Sequence, residues 1–426
     1  MSRERIAIVG TGISGLASAW LLGREHDVTL FEKDPRVGGH SNTVMVDEQQ
    51  AQIPIDTGFM VYNEVTYPLL TRLFRELDVR TKPTSMSFSV QHVGENLEFN
   101  GGSINLLFGQ RKNLLNFRYW RMLTQIARFN RETVAELASP QYGEMSLREY
   151  VKARGYGDHF LQWYLSPMAA AVWSSPPERI EQFPAHTLMR FWHNHGFLGL
   201  DTQHPWRTVS GGSRCYVEKL IKSFEHQIHR GVGVKAVLGL SGGVRLILQD
   251  GSQHDFDRVV MAAHGDQSLR LLDAPTTLES ELLGKFHYQE NEAILHTDPQ
   301  FMPKTRRCWA AWNYRIDRGA DGGQRYSTHY WMNKLQGVSE QHQYFVSINP
   351  ASSPAEGTVR KRLMYEHPLF DLEAVAAQDR LPELHLAGRE SRRYYCGAWQ
   401  RYGFHEDGLW SAVRVCTEIL GRNSWQ

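Results

Sequence analysis

Gly10, Gly12 and Gly15 have the spacing of a turn that cradles a dinucleotide pyrophosphate, and Glu32 follows 22 residues after the first of them. Each glycine has a mechanical task. The first makes a tight turn, the second lets backbone amides reach the pyrophosphate, and the third lets a helix pack closely on a strand. The helix N-terminus adds partial positive charge for the phosphates, and Ser14 lies inside the same turn. Glu32 falls where a carboxylate can accept hydrogen bonds from a ribose diol. These residues can work together only if the chain around them is ordered. Arg5–Val9 therefore reads as a buried strand, residues 16–22 as a helix and residues 27–31 as a second strand.

A second turn follows at once, with Arg36, the pair Gly38-Gly39, and His40. A nicotinamide cofactor needs no such turn, whereas FAD continues past its pyrophosphate toward a ribityl chain. FAD is therefore the expected cofactor. With these motifs the chain resembles the superfamily of flavin-containing amine oxidases and phytoene desaturase-like proteins, which carry a double glycine after the dinucleotide turn. Most members read arginine after that pair, where this chain has His40.

The resemblance covers almost the whole chain. It implies an α/β fold of mixed α+β character, with a Rossmann-like FAD-binding domain of the glutathione-reductase type. An antiparallel sheet with helices forms an interleaved substrate domain. The expected boundaries are FAD domain 1–80, substrate domain with helical insertion 81–205, FAD domain 206–275, substrate sheet 276–385 and FAD domain 386–426.

The resemblance also implies roles for single residues. Gly58 is a close-approach position under the flavin, or a glycine at a strand bend. Val234 lies against the adenine, and Gly397 approaches the ribityl phosphate. The helix after Gly397 would aim its N-terminus at the flavin N1–C2=O edge, where hydride arrival places negative charge. Glu406 and Asp407 belong to that cofactor site or cap the helix. His405 is a cationic partner of reduced flavin or a packing residue.

Many amine oxidases of the superfamily place a lysine near flavin N5. The matching stretch here, residues 289–298, has none, and Lys285 sits earlier on an expected helix. His296 and Asp298 are the polar candidates for chemistry in that stretch, each with a structural alternative. Segments such as 56–63, 309–314 and 402–408 resemble a bacterial branch associated with cyclopropane-fatty-acid-synthase-like methyltransferases that use S-adenosylmethionine (SAM). That resemblance implies hydride removal from a hydrophobic small molecule or phospholipid acyl chain, with desaturation or isomerisation, and a SAM-dependent methyltransferase as partner. Two alternatives stand beside it: an amine or amino-acid oxidase releasing peroxide, and a non-catalytic flavoprotein that binds lipid or the methyltransferase.

Bulk properties limit the remaining classes. At 426 residues the chain suits two interleaved domains. A net charge of +1 gives no general attraction to nucleic acid. The four cysteines form no CxxC pair, so neither a disulfide framework nor a metal site is expected. None has the context of a flavin attachment site, and FAD is expected to bind noncovalently. The first strand begins within five residues and no apolar run reaches the ~20 residues of a spanning helix. The expectation is a cytoplasmic protein, in its sharper form peripheral on the inner face of the membrane. The 12 tryptophans and 17 tyrosines suit an aromatic-lined cavity. Residues 104–131 read as one amphipathic helix with Leu115, Tyr119, Met122, Leu123, Ile126 and Phe129 on one face. Arg111, Arg118, Arg121, Arg128 and Arg131 gather opposite. That helix is either core-packed with a solvated basic face, or it contacts an anionic membrane or guards a lipid tunnel.

Overall fold

The computed structural model describes residues 3–49, 51–139, 141–142, 145–199, 202–319 and 322–425. Its first layer is a five-stranded parallel sheet in the order Ile228–Arg230, Asp27–Glu32, Arg5–Val9, Arg258–Met261, Arg393–Tyr395. The three central strands are largely apolar on both faces, because each face is covered. Ile6, Ile8, Leu30 and Val260 point into a core shared with the helices Ile13–Leu22 and His405–Leu420. Their neighbours Ala7, Val9, Phe31, Val259 and Met261 point the other way. There they meet an antiparallel meander of Val234–Leu240, Gly243–Leu248 and Gln253–Phe256. A parallel sheet between helices and a three-stranded meander is the expected nucleotide-binding architecture.

The second layer is a seven-stranded sheet in the order Val359–Leu369, His287–His296, Phe345–Ile348, Gln324–Trp331, Trp312–Arg318, Phe88–His92, Leu97–Asn100. It is antiparallel except where Trp312–Arg318 pairs parallel with Phe88–His92. Between them in sequence lies a helical insertion that includes Phe117–Ala138, Ser166–Trp173 and Ala185–Asn194, with its own aromatic core. A small sheet of Tyr62–Asn63, Trp206–Val209 and Thr81–Thr84 joins the parts.

Several expected elements differ in detail. The Asp250-Gly251 turn leads into the additional strand Gln253–Phe256, which lies before Arg258–Met261. The expected domain boundary at 385/386 falls inside the helix Leu372–Ser391, whose apolar side packs in the nucleotide domain core. The expected helix over 104–131 is three pieces: Ile104–Leu107, a 3₁₀ turn Arg111–Leu115, and Phe117–Ala138. Asn116 breaks the run, because its side chain accepts the Tyr119 amide as an N-cap. Tyr119, Met122 and Phe129 are buried as expected, but Leu115 lies on the 3₁₀ turn and is 93% exposed. No helix among the described residues is long and apolar enough to cross a membrane.

Candidate functional site: an FAD cleft

The first strand ends at Gly10, whose φ of +102° only glycine adopts readily, and whose amide donates to the Phe31 carbonyl at 2.9 Å. A Cβ on Gly15 would stand 2.0 Å from the Gly10 carbonyl oxygen, so the third glycine permits helix and turn to touch. Gly12 is different. A Cβ there would meet no protein atom within 4 Å, and the residue borders a cleft of about 1240 Å³. Ordinary small-ligand pockets span ~300–1,000 Å³, so the cleft has room for a large cofactor and a substrate. Gly12 is also the N-cap of the helix Ile13–Leu22, and no side chain caps its first amides. Those amides are left for an anion.

Glu32 borders the same cleft. Its Oε2 accepts from the Thr11 amide at 3.0 Å and the Thr11 hydroxyl at 2.5 Å, and its Oε1 accepts from the Asp34 amide at 3.0 Å. Three of about four acceptor positions are filled. The carboxylate is thus fixed in direction, with capacity left for a ribose hydroxyl. Gly38 and Gly39 adopt φ of +111° and +55°, and the Gly38 amide donates to the Thr11 carbonyl at 3.0 Å. The second glycine turn therefore lies directly on the first. Arg36 holds it there: its guanidinium donates to the carbonyls of Val37, Gly39 and Ser41.

His40 replaces the usual arginine with a neutral ring. It stacks on Tyr365 with centroids 5.0 Å apart, and its buried Nε2 has no hydrogen-bond partner among the described residues. Burial holds its pKa well below the usual histidine value, and His367, His264, His405 and Arg36 lower it further. Gly58 borders the cleft, and its lack of a side chain is explained by His40, whose carbonyl would lie 2.2 Å from a Cβ. Val234 and Gly397 border the cleft. The Gly397 amide donates to Ser411 Oγ at 2.8 Å, and a Cβ on it would collide with the Trp399 indole.

His405 opens the C-terminal helix and faces the cleft. It stacks on Phe59 at 3.9 Å, and its Nε2 shares a hydrogen bond with the Tyr216 hydroxyl at 2.6 Å. Ser41 joins both groups. Burial pulls the His405 pKa down to about 3, so its protein surroundings hold the ring neutral. Tyr216 and Ser41 carry no motif and are visible only in the fold.

Four expected site residues lie elsewhere. Glu406 accepts the Leu69 and Leu70 amides at 2.9 Å each, and so caps the helix Pro68–Glu76 instead of its own. Asp407 accepts the amides of Phe404 and Tyr402 at 2.9 and 3.2 Å. Neither borders the cleft. Burial raises Glu406 to about 7 and Asp407 to about 6. His296 and Asp298 do not border it either. His296 Nε2 bonds Ser347 Oγ at 2.6 Å, and its Nδ1 accepts the Asp298 amide at 3.1 Å. The Asp298 carboxylate accepts from Gln300 and from the Ala355 amide, which closes a turn. All four are structural contacts in this fold.

The cleft continues from the nucleotide end to an aromatic wall. Phe191 sits at its centre, 4.9 Å from Trp173, 5.0 Å from Phe404 and 5.5 Å from Tyr402 between ring centroids. His195, Phe197 and Trp206 extend it. His195 is neutral too, since burial lowers its pKa to about 4. The charged side chains bordering the cleft come from the nucleotide turns (Glu32, Lys33, Asp34 and Arg36), from Arg270, and from strand Val359–Leu369 with Arg360, Lys361 and Glu366. None belongs to the aromatic wall. Lys285 pairs with Glu373 at 2.7 Å away from the cleft.

The residues present fit FAD: an uncapped helix start beside an open glycine, an oriented carboxylate, and an unpartnered buried imidazole beyond them. A two-layer architecture with this cleft defines a flavin-dependent oxidoreductase. Residues 13–346 match the flavin containing amine oxidoreductases, and the chain belongs to that family. The chain is similar over a 46-residue stretch, 52% identical, to protoporphyrinogen oxidase 2 of Arabidopsis thaliana. That stretch is 11% of this chain and spans only 9% of the relative's length. Among solved structures, it superimposes on cyclohexylamine oxidase from Brevibacterium oxydans with a TM-score of 0.68 at 13% identity, covering 98% of this chain and 100% of that one. It also superimposes on a fatty acid isomerase from P. acnes that produces CLA, with a TM-score of 0.66 at 16% identity and 98% of both chains covered. At these identities the likeness is one of fold. When bound, FAD supplies the hydride acceptor. The uncapped helix start at Gly12 and the oriented Glu32 carboxylate would hold its phosphates and ribose, while the cleft keeps the surrounding imidazoles neutral and lines the substrate space with aromatic carbon.

Proposed function

We propose that this enzyme, with noncovalently bound FAD, takes hydride from an unsaturated or methylated fatty acyl chain, desaturating it when a neighbouring proton is also lost and an external acceptor reoxidises the flavin, or isomerising it when the hydride is returned to another carbon. The observation that carries the reading is the uncharged aromatic wall of the cleft, from Trp173 through Phe191 to Phe404 and Trp206. A substrate ammonium would find no carboxylate there, whereas a neutral chain gains from burial against carbon at about 0.8 kcal/mol per CH₂. An acyl C–H is not acidic, so such a reaction depends on placement of the C–H bond and exclusion of water more than on a strong base. The neutral His195 and His405 are consistent with such a dry site. The likeness to a fatty acid isomerase supports the reading as a precedent for acyl chemistry on this fold.

The test is lipid mass spectrometry of cells with and without the protein. Acyl chains with a new or shifted double bond are expected. An unchanged acyl profile, together with peroxide release when amines are offered to the purified protein, would replace this reading with amine oxidation.

A further inference from the structure

Among the described residues twelve large apolar side chains are exposed, and five of them cluster in the short tip segment 104–120: Ile104, Leu114, Leu115, Phe117 and Trp120. Leu115 and Phe117 are 93% and 80% exposed. The tip is built rigidly. The Asn113 side chain is buried and donates to the Glu98 carbonyl at 3.0 Å. Tyr119 donates to the Leu107 carbonyl at 2.7 Å, and Trp120 Nε1 donates to the Leu114 carbonyl at 2.9 Å. The inward residues of these turns thus fix the backbone, and the outward ones are apolar. Isolated exposed leucines need no explanation, but a contiguous apolar group on an ordered surface marks an interface.

Charge identifies what covers it. Residues 99–131 contain no Asp or Glu, and they contain Arg111, Lys112, Arg118, Arg121, Arg128 and Arg131. The four nearest the tip, Arg111, Lys112, Arg118 and Arg121, are exposed, and among the described residues none is in an ion pair. Lys304 and Arg307, on the segment packed against this tip, add two more exposed cations. Projecting apolar groups ringed by cations suit a surface that is apolar within and anionic outside. A protein partner would have to offer a matching apolar socket rimmed with acids. A bilayer containing anionic phospholipid offers both features everywhere on its surface.

We propose that the tip formed by residues 104–121 docks this enzyme on an anionic membrane surface. Leu115 and Phe117 enter the acyl boundary, while the surrounding cations meet headgroup phosphates. The contact is therefore made by the 3₁₀ turn and the start of the helix Phe117–Ala138, and the arginine face farther along that helix is not required. Docking is independent of what the flavin oxidises.

The experiment is sedimentation of the FAD-loaded protein with phosphatidylcholine vesicles, with and without phosphatidylglycerol. The wild-type protein should sediment with the anionic vesicles and remain in solution with the zwitterionic ones. The double variant Leu115→Ser/Phe117→Ser should lose at least about tenfold in partitioning. Lys112→Glu should lose about fivefold or more. Both variants alter exposed side chains, so their flavin absorbance and melting temperature should match the wild type. No sedimentation with anionic vesicles, equal sedimentation with both vesicle types, or unchanged binding of the double variant would each overturn the proposal. So would self-association in vesicle-free buffer that the same double substitution abolishes, since the tip would then be covered by a second copy of the chain.

Discussion

Adding one methyl group at residue 12 separates the cofactor site from the fold. Gly12 has φ −66° and ψ 178°, a backbone that alanine adopts without strain, and the new Cβ would meet no protein atom within 4 Å. The apo protein should therefore change little, because lower unfolded-state entropy adds about 0.4–1 kcal/mol and the poorer N-cap preference of alanine removes a similar amount. The same Cβ stands in the open cleft beside the uncapped amides of the helix Ile13–Leu22. Keeping a pyrophosphate from that helix start would forfeit at least one hydrogen bond to a charged group, about 1.5–3 kcal/mol. That loss weakens FAD binding by roughly 10- to 150-fold. Gly15→Ala is the contrasting control, because its Cβ would collide with the Gly10 carbonyl and disturb the turn itself. The assay pairs thermal unfolding of apo protein with a fluorescence titration of FAD. Gly12→Ala should melt close to the wild-type temperature and bind FAD poorly, whereas Gly15→Ala should lose both stability and FAD. Undiminished FAD affinity in Gly12→Ala, or an apo form that melts well below wild type, would refute the placement of the pyrophosphate.

Two further outcomes follow from the corrected residues. Burial raises Glu406 to about 7, so its protonated form is favoured by folding. That contribution is complete below the ordinary glutamate range and is lost as pH rises through about 7. Glu406→Gln should therefore gain melting temperature relative to wild type as pH goes from 5.5 to 8.5 (roughly the window set by that shift), and a pH-independent difference would contradict the assignment. Asp298→Ala should cost about 1–2 kcal/mol by uncapping its turn, with FAD affinity and turnover retained. A loss of turnover at full FAD loading would return Asp298 to the reacting site.

Buried histidines contribute to the loss of stability on the acid side, alongside carboxylates such as Glu132, whose ion pairs lower its pKa. Burial lowers His195, His296 and His367 to about 4 and His405 to about 3. Each is held neutral in the fold, so the stability they lend is present above the ordinary histidine value and is lost as pH falls toward those lowered values.

What the sequence could say about this site depended on how local each requirement is. Gly10, Gly12, Gly15, Gly38 and Gly39 are legible because turn conformation and close approach are demands on the backbone itself. The nucleotide strands are legible because apolar runs between glycine turns report burial on both faces. The role of Glu406 was not legible, since the amides it caps come from Leu69 and Leu70, over three hundred residues earlier. The charge state of His405 was hidden for a related reason: Phe59, Tyr216 and Ser41 enclose it from three distant segments. Leu115 departs from the expected face because the 3.6-residue period does not extend across the Asn116 cap, where the chain changes from a 3₁₀ turn to an α-helix.

The most direct measurement offers the oxidised holoprotein, under anaerobic conditions, an unsaturated fatty acyl substrate and in parallel a primary amine. Flavin absorbance and acyl structure are followed together. The acyl chain should gain or move a double bond, while the amine should leave the flavin oxidised. Bleaching of the flavin by the amine, with the acyl chain returned unaltered, would contradict acyl-chain chemistry at this site.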